Sequence, residues 1–241
     1  MAKKDNVISL PNIVTNVTLM KLSQEVDNLK DNHRLVCEMA TKSMLKSLQC
    51  KDDYTYGHSM RVAYYSLCLG REAGLSEDEL YELEMSDLFH DIGKIGVPDS
   101  VLLKPARLDE NEFQAMKKHP SMSAEILEGF EPLKDVAKNA KHHHERFDGR
   151  GYPDGLKGEG IPYFSRMILI GDTFDAMTST RPYRKGLPYE VAFEELREFS
   201  GTQFDPKLVE QFVEAMRKEQ AKQESTFSLG IVEGEFYKDA A

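Results

Sequence analysis

His90 and Asp91 stand side by side, and Lys94 follows in the stretch His90-Asp91-Ile92-Gly93-Lys94-Ile95-Gly96-Val97-Pro98. An imidazole, a carboxylate and an ammonium fall within five residues, after which Gly93 and Gly96 interrupt the helical pattern. A His–Asp pair at a helix end can offer two ligands to one metal ion. The chain has seven histidines. Five of them (His58, His90, His119, His143 and His144) fall at predicted helix ends or on predicted apolar faces, and Asp91 and Asp172 share that placement. Taken alone, His58 reads as a satisfied core histidine. Taken together, the buried imidazoles and carboxylates cost more than packing returns unless they are paired or coordinate metal. Imidazole with carboxylate suits Fe, Mn, Zn, Ni or Co, not a Cys-lined structural zinc site. The set is too large for one tetrahedral ion and suits two ions that share a carboxylate. Such a pair, about 3.5–4 Å apart, activates water and stabilises both oxygens of an in-line phosphoryl displacement. Hydrolysis of a phosphate ester is the expected chemistry. Lys94, one helical turn past His90, can touch a non-bridging or leaving oxygen.

The elements that must position these groups read as helices throughout, so the expected class is all-α. Residues 1–16 read as an irregular, flexible lead. A long helix is predicted from Thr18 to Leu48, with Leu22, Val26, Leu29, His33, Val36 and Ala40 at alternating steps of four and three. That seam fits either a helix packed on its own domain or a dimerising, signal-relaying one. A second helix begins near Asp53, with His58, Val62, Tyr65 and Leu69 on one face. Ser76 and Glu79 form a capping box for the next helix, whose Leu80, Leu83 and Leu88 face inward and which delivers His90 and Asp91 at its end. Asp109 and Glu112 form another capping box, and that helix reaches His119 just before Pro120 limits it. A helix from Pro132 carries Leu133, Val136, Ala137 and Ala140. Its continued period brings His143 and His144 inward and leaves His142 in solvent. Arg146 to Gly160 is a glycine-rich ordered loop, long enough to be functional. Met167 to Ile170 could be a buried strand, but Ile168, Asp172, Asp175 and Ser179 keep one helical face. Two further helices follow, over 188–199 and from the Asp205 N-cap. The expected division is 1–50, a lead with an N-terminal helix; 51–220, a catalytic domain; and 221–241, a mobile tail.

The totals bound the partners. The 241 residues carry a net charge of −10, with a sequence pI near 5.3, which argues against DNA or RNA as the main ligand. An anionic substrate would need local help from metal or from clustered Arg and Lys. Cys37, Cys50 and Cys68 are odd in number and loosely spaced, as expected for reduced thiols in the cytoplasm. No signal peptide is visible, and the apolar runs are too short for a membrane span.

Four separated segments carry a resemblance: His90-Asp91-Ile92-Gly93-Lys94, His143-His144-Glu145-Arg146, Gly151-Tyr152-Pro153 and Asp172-Thr173-Phe174-Asp175-Ala176-Met177-Thr178. With His58 upstream, they resemble the HD-domain metal-dependent phosphohydrolases, and specifically the HD-GYP branch, over roughly residues 53–215. The resemblance implies a helical HD-domain bundle that hydrolyses cyclic dinucleotides, chiefly cyclic di-GMP, to the linear dinucleotide pGpG or on to GMP. It implies His58, His90, Asp91, His119, His143, His144 and Asp172 as metal ligands, with Asp91 bridging two ions, Fe or Mn before Zn, Ni or Co. It also implies that the Gly151-Tyr152-Pro153 loop can contact a GGDEF-domain partner. Some members hold a third metal through a Glu four residues before the first His, and Tyr54 stands there in this chain. For substrate, Lys94 and the metals would take one phosphate, and Arg181 and Arg184 could take the other by bidentate hydrogen bonds. Tyr152 could stack on a base or simply pack its loop. A different cyclic dinucleotide such as cyclic GMP-AMP, or a binding module without turnover, are the alternative readings.

Overall fold

The computed structural model describes residues 10–51, 53–180 and 185–229. The lead before residue 10, the Arg181–Arg184 segment and the tail after residue 229 lie outside the described residues, as do the side chains of Tyr54 and His33. The chain divides into two units, Met1–Met44 and Leu45–Ala241.

Helix α1 (Leu10–Lys51) accounts for the described part of the first unit. Leu19, Leu22, Val26, Leu29 and Val36 are exposed along it. It starts at Leu10, inside the stretch that sequence assigns to an irregular lead.

The second unit is built from α2 (Asp53–Glu72), α3 (Glu77–Phe89), α4 (Asp99–Leu102), α5 (Glu110–Met116), α6 (His119–Glu128), α7 (Lys134–Lys141), α8 (Tyr163–Thr178), α9 (Tyr189–Glu198) and α10 (Pro206–Leu229). Among the described residues no strand forms, apart from one isolated bridge between Ser200 and Phe204, so the fold is all-α. The alternating spacing of apolar residues explains the packing. On α2, Val62, Tyr65 and Leu69 are buried on the His58 face, and on α10 Leu208, Val209, Phe212 and Met216 are buried. The Met167–Ile170 stretch is wholly buried inside α8, because hydrophobicity on all sides suits a central helix as well as a strand. Phe174 is the hub of this core. Its ring lies 5.0 Å from Tyr65, 4.8 Å from Tyr189, 5.5 Å from Phe193 and 5.0 Å from Phe212. Removing a phenyl ring so enclosed costs about 3–5 kcal/mol. Phe174 sits between Asp172 and Asp175, so the residue that fixes α8 in the core also fixes the height of both carboxylates.

Both capping boxes form. Ser76 accepts from Glu79 N while the Glu79 carboxylate accepts from Ser76 N, and Asp109 and Glu112 reciprocate in the same way. Two boundaries differ from expectation. Pro120 does not end the Asp109 helix. That helix stops at Met116, and His119 and Pro120 open α6, where the missing proline N–H costs nothing. Helix α10 runs on to Leu229, past residue 221 where sequence places a tail.

After α3, residues Ile92–Gly96 form a single 3-10 turn. It packs against α6 with almost no space between them. A Cβ on Gly93 would lie 2.1 Å from His119 O and 2.4 Å from Ser123 N. The same contact is stitched by hydrogen bonds: Gly93 N donates to Ser123 Oγ at 2.8 Å, and Ser123 Oγ donates to His90 O at 2.8 Å. Glycine is therefore required where the turn after His90-Asp91 meets the helix that begins with His119. We expect Gly93→Ala to lower the unfolding free energy by about 2 kcal/mol or more. Gly129→Ala, where a Cβ meets nothing within 4 Å, should stay within about 0.5 kcal/mol of the parent. Urea denaturation of both variants checks the contrast; equal effects would contradict the close approach.

Candidate metal centre

Each histidine of the expected set reaches the centre from a different local structure. His58 lies one turn into α2, His90 caps α3, and His119 is the first residue of α6. His143 and His144 lie in the turn after α7, and Asp172 lies on α8. The structure brings all of these together with Asp91. Three overlapping groups have ligand atoms within 4.8 Å of one another: His119, His143 and His144; His58, His90 and Asp172; and His90, Asp91 and His143. The two Asp91 oxygens face different sides. Oδ1 lies 3.2 Å from His119 Nε2, while Oδ2 lies 3.3 Å from His90 Nε2 and 3.8 Å from His58 Nε2. Lys94 Nζ reaches Oδ2 at 2.5 Å.

The backbone sets the tautomers. His90 Nδ1 donates to Asp87 O at 2.5 Å, His119 Nδ1 to Met116 O at 2.8 Å, and His143 Nδ1 to Ala140 O at 2.7 Å. A carbonyl oxygen can only accept, so each Nδ1 carries the proton and each Nε2 turns a lone pair to the centre. His58 achieves the same with a side chain, donating from Nδ1 to Asp175 Oδ2 at 2.7 Å. A ligating histidine held by a carbonyl or carboxylate at its other nitrogen is the ordinary outer support of a metal site. The fit to a cation is direct: buried His90 Nε2 has no hydrogen-bond partner. An unpaired lone pair among imidazoles is what a divalent ion would satisfy.

The electrostatics agree. Burial and the neighbouring imidazoles hold His143 well below the usual histidine range, and burial with the charge of His119 takes His144 down to about 3. Both are neutral donors at pH 7. Burial alone would lower His58, but its hydrogen bonds to Asp172 and Asp175 and the nearby Asp91 charge raise it to about 9. The position of Nε2, 3.2 Å from Asp172 Oδ1, thus favours positive charge, which a metal ion would supply in place of the proton. Burial would raise Asp91, yet Lys94 and His90 hold it well below the carboxylate range, and His58 does the same for Asp172.

Some of this machinery was missed by residue-by-residue reading. Asp175 is buried and accepts from His58 and from Arg61 Nε and Nη2 at 2.6 and 3.0 Å. The signal was present as matching three-residue steps, His58 to Arg61 on one helix and Asp172 to Asp175 on the other. Asp87, also buried, accepts from Ser66 Oγ at 2.8 Å, and burial pushes its pKa well up. His142 is a correction. It is buried, not solvated, with Nδ1 2.9 Å from Lys138 O and Nε2 3.0 Å from Asp154 Oδ2. The helical period does not extend past Lys141, so the face expected for His142 does not exist.

The following loop is held against the centre. Glu145 Oε1 accepts from Asp154 N at 2.7 Å and Gly155 N at 2.9 Å, and Tyr152 N donates to His144 O at 3.3 Å. A Cβ on Gly151 would lie 2.3 Å from Arg146 N and 2.6 Å from His144 O, so the loop can double back only with glycine there. Pro153 follows Tyr152 through a cis peptide bond. The Tyr152 ring ends 4.9 Å from the His144 ring. Arg181 and Arg184 lie outside the described residues.

The HD domain model matches residues 42–208. The cyclic di-GMP phosphodiesterase response regulator RpfG of Xanthomonas campestris pv. campestris is 36% identical over 208 residues, covering 80% of this chain and 55% of the relative. The 3'3'-cGAMP-specific phosphodiesterase 3 of Vibrio cholerae is 35% identical over 211 residues, covering 84% of this chain and 45% of the relative. The chain thus spans about half the length of these relatives. The HD domain of L. monocytogenes phosphodiesterase PgpH, solved with cyclic-di-AMP, shares the fold at a TM-score of 0.53 and 20% identity, over 72% of this chain and 92% of that chain. With the HD domain model matched over residues 42–208, relatives 35–36% identical, and His90-Asp91 followed by Gly151-Tyr152-Pro153, the chain belongs to the HD domain family and to its HD-GYP branch.

Proposed function

We propose that this chain is a metal-dependent phosphodiesterase that hydrolyses cyclic di-GMP to pGpG or on to GMP. The observation that carries the reading is the convergence of imidazole Nε2 atoms and carboxylates into overlapping ligand groups. Nothing in plain nucleotide binding requires that set. His58, His90, Asp91, His119, His143, His144 and Asp172 would hold two divalent ions, Fe or Mn before Zn, Ni or Co, with Asp91 shared through its two differently facing oxygens. Such ions supply Lewis acidity and lower the pKa of water.

The chain's own groups do the rest. Asp175 and the backbone carbonyls keep Nε2 of His58, His90, His119 and His143 aimed inward. Lys94, now on Asp91 Oδ2, is close enough to meet a non-bridging or leaving oxygen of a phosphate. Tyr152 closes one side of the pocket. The neighbouring loop supports the reading of a GGDEF-domain contact, and the exposed apolar seam of α1 supports a homodimer. Among the described residues no helix is long and apolar enough to cross a membrane; the scattered cysteines favour a cytoplasmic setting. A second reading, 3'3'-cGAMP as substrate, rests on the Vibrio cholerae relative. Turnover of a panel of cyclic dinucleotides by Fe- or Mn-loaded protein tests both, and cleavage of none would overturn them.

Metal content separates the histidine triplet. His143→Ala and His144→Ala should each lose bound metal by elemental analysis. His142→Ala should keep its metal and lose about 1–2 kcal/mol of stability, because it removes the bonds to Lys138 O and Asp154 and leaves a gap at a buried position. Metal loss in His142→Ala equal to that of the other two would contradict the assignment.

Acid sensitivity follows from the two depressed histidines. In the unfolded chain both protonate near the ordinary value of about 6.5, whereas in the fold His144 stays neutral down to about 3. The unfolded state binds more protons across that window, so the metal-free protein loses stability as pH falls through it. Asp87, with its raised carboxyl, and His58, raised to about 9, oppose this in part. Melting of chelator-treated protein should drop from pH 6.5 to pH 5, and the drop should shrink in His144→Gln. An equal drop in the variant would contradict the account.

A further inference from the structure

We propose that Lys117 is a substrate-positioning residue that holds the second phosphate of the cyclic dinucleotide, the one not at the metal centre. The inference rests on the phosphodiesterase reading above and extends it to a residue outside the recognised motifs. Lys117 follows Met116, whose carbonyl fixes His119 Nδ1, so its backbone is set by the turn that orients a ligand. Its ammonium lies 4.7 Å from the centroid of the Phe113 ring and 5.4 Å from that of Tyr152. The Tyr152 ring is in turn 4.9 Å from His144. One aromatic ring therefore separates this cation from the imidazole cluster.

Four other cations near the centre face carboxylates. Arg61 is on Asp175, Lys94 on Asp91, Lys141 on Asp154 and Arg146 on Asp148. Lys117 rests on aromatic faces, and among the described residues no carboxylate comes within ion-pair reach of it. Aromatic faces hold an ammonium by their quadrupole without neutralising it. Its N–H groups remain able to donate to an anion, and Phe113, 41% exposed, leaves an approach from solvent. In a chain of net charge −10, an uncompensated cation beside the catalytic pocket suits an anionic ligand. A cyclic dinucleotide with one phosphate at the centre carries its other phosphate one nucleotide away, which matches a cation set one ring out. Tyr152 then acts as the platform that carries Lys117.

The test uses the metal-loaded full chain with Lys117→Met, which keeps the apolar stem, and Lys117→Arg, which restores charge. Cyclic di-GMP is compared with bis(p-nitrophenyl) phosphate, a diester with no second phosphate. Loss of one charge-assisted hydrogen bond should raise KM for cyclic di-GMP about tenfold in Lys117→Met. We expect kcat to stay within about twofold, with metal content and cleavage of the small diester unchanged and Lys117→Arg near the parent. An unchanged KM, or an equal loss on both substrates, would overturn the role of Lys117 while leaving the phosphodiesterase reading intact. If the parent cleaves only the small diester, that reading falls, and the lysine's substrate with it.

Discussion

Burying several imidazoles and carboxylates in one pocket is the condition on which the rest of this structure turns. Asp91, His90, His119 and His143 are almost wholly removed from water. Carboxylates and imidazoles in such a place normally abandon charge or find partners. Here the partners are only partial. Nδ1 of His58, His90, His119 and His143 is tied to a carbonyl or to Asp175, while their other nitrogens lie within a few ångströms of one another and of Asp91 or Asp172. The fold has spent its hydrogen-bonding capacity on orienting these groups, and their inward sides are left for positive charge. That is the electrostatic logic of a divalent metal site, and the mutual contact that raises His58 and lowers Asp172 agrees with it.

The scaffold meets this condition with short-range devices. Three of the histidines, His90, His119 and His143, donate to the carbonyl three residues earlier. That bond needs a turn or a helix end, because inside a helix those carbonyls accept from backbone N–H. The ligands therefore cluster where helices stop and start. Bringing those ends together then needs small residues. Gly93 admits α6 beside the turn after His90-Asp91, and Gly151 lets the loop fold back on His144. Phe174 anchors α8 in the aromatic core and so sets the depth of Asp172 and Asp175.

Much of this could be read from the chain because two local patterns coincide with the tertiary one. His58 shares its helical face with Val62, Tyr65 and Leu69, so burial of the face fixes its direction. The capping residues Ser76 and Asp109 mark helix starts by chemistry that needs no distant partner. Periodicity failed where helices end. Extending the turn of α7 past Lys141 puts His143 and His144 inside, as found, but also puts His142 in solvent, where it is not. The bond from His142 to Asp154 depends on how a glycine-rich loop returns, and no local pattern encodes that. Asp175 shows the other limit. Its spacing from Asp172 was visible, but its pairing with His58 and Arg61 depends on how α2 crosses α8.

The same pocket gives the family membership a chemical meaning. Ions held there would lower the pKa of a water for attack on a phosphodiester, with Lys94 placed to meet a phosphate oxygen and Tyr152 beside His144. The central claim is that these side chains hold a pair of ions. X-ray absorption at the metal edge of Fe- or Mn-loaded protein, with elemental analysis of the same sample, measures that directly. The account predicts two ions per chain with a metal–metal vector of about 3.5–4 Å and mainly imidazole and carboxylate ligands. A single ion per chain in fully active protein, or no metal–metal vector at all, would contradict it.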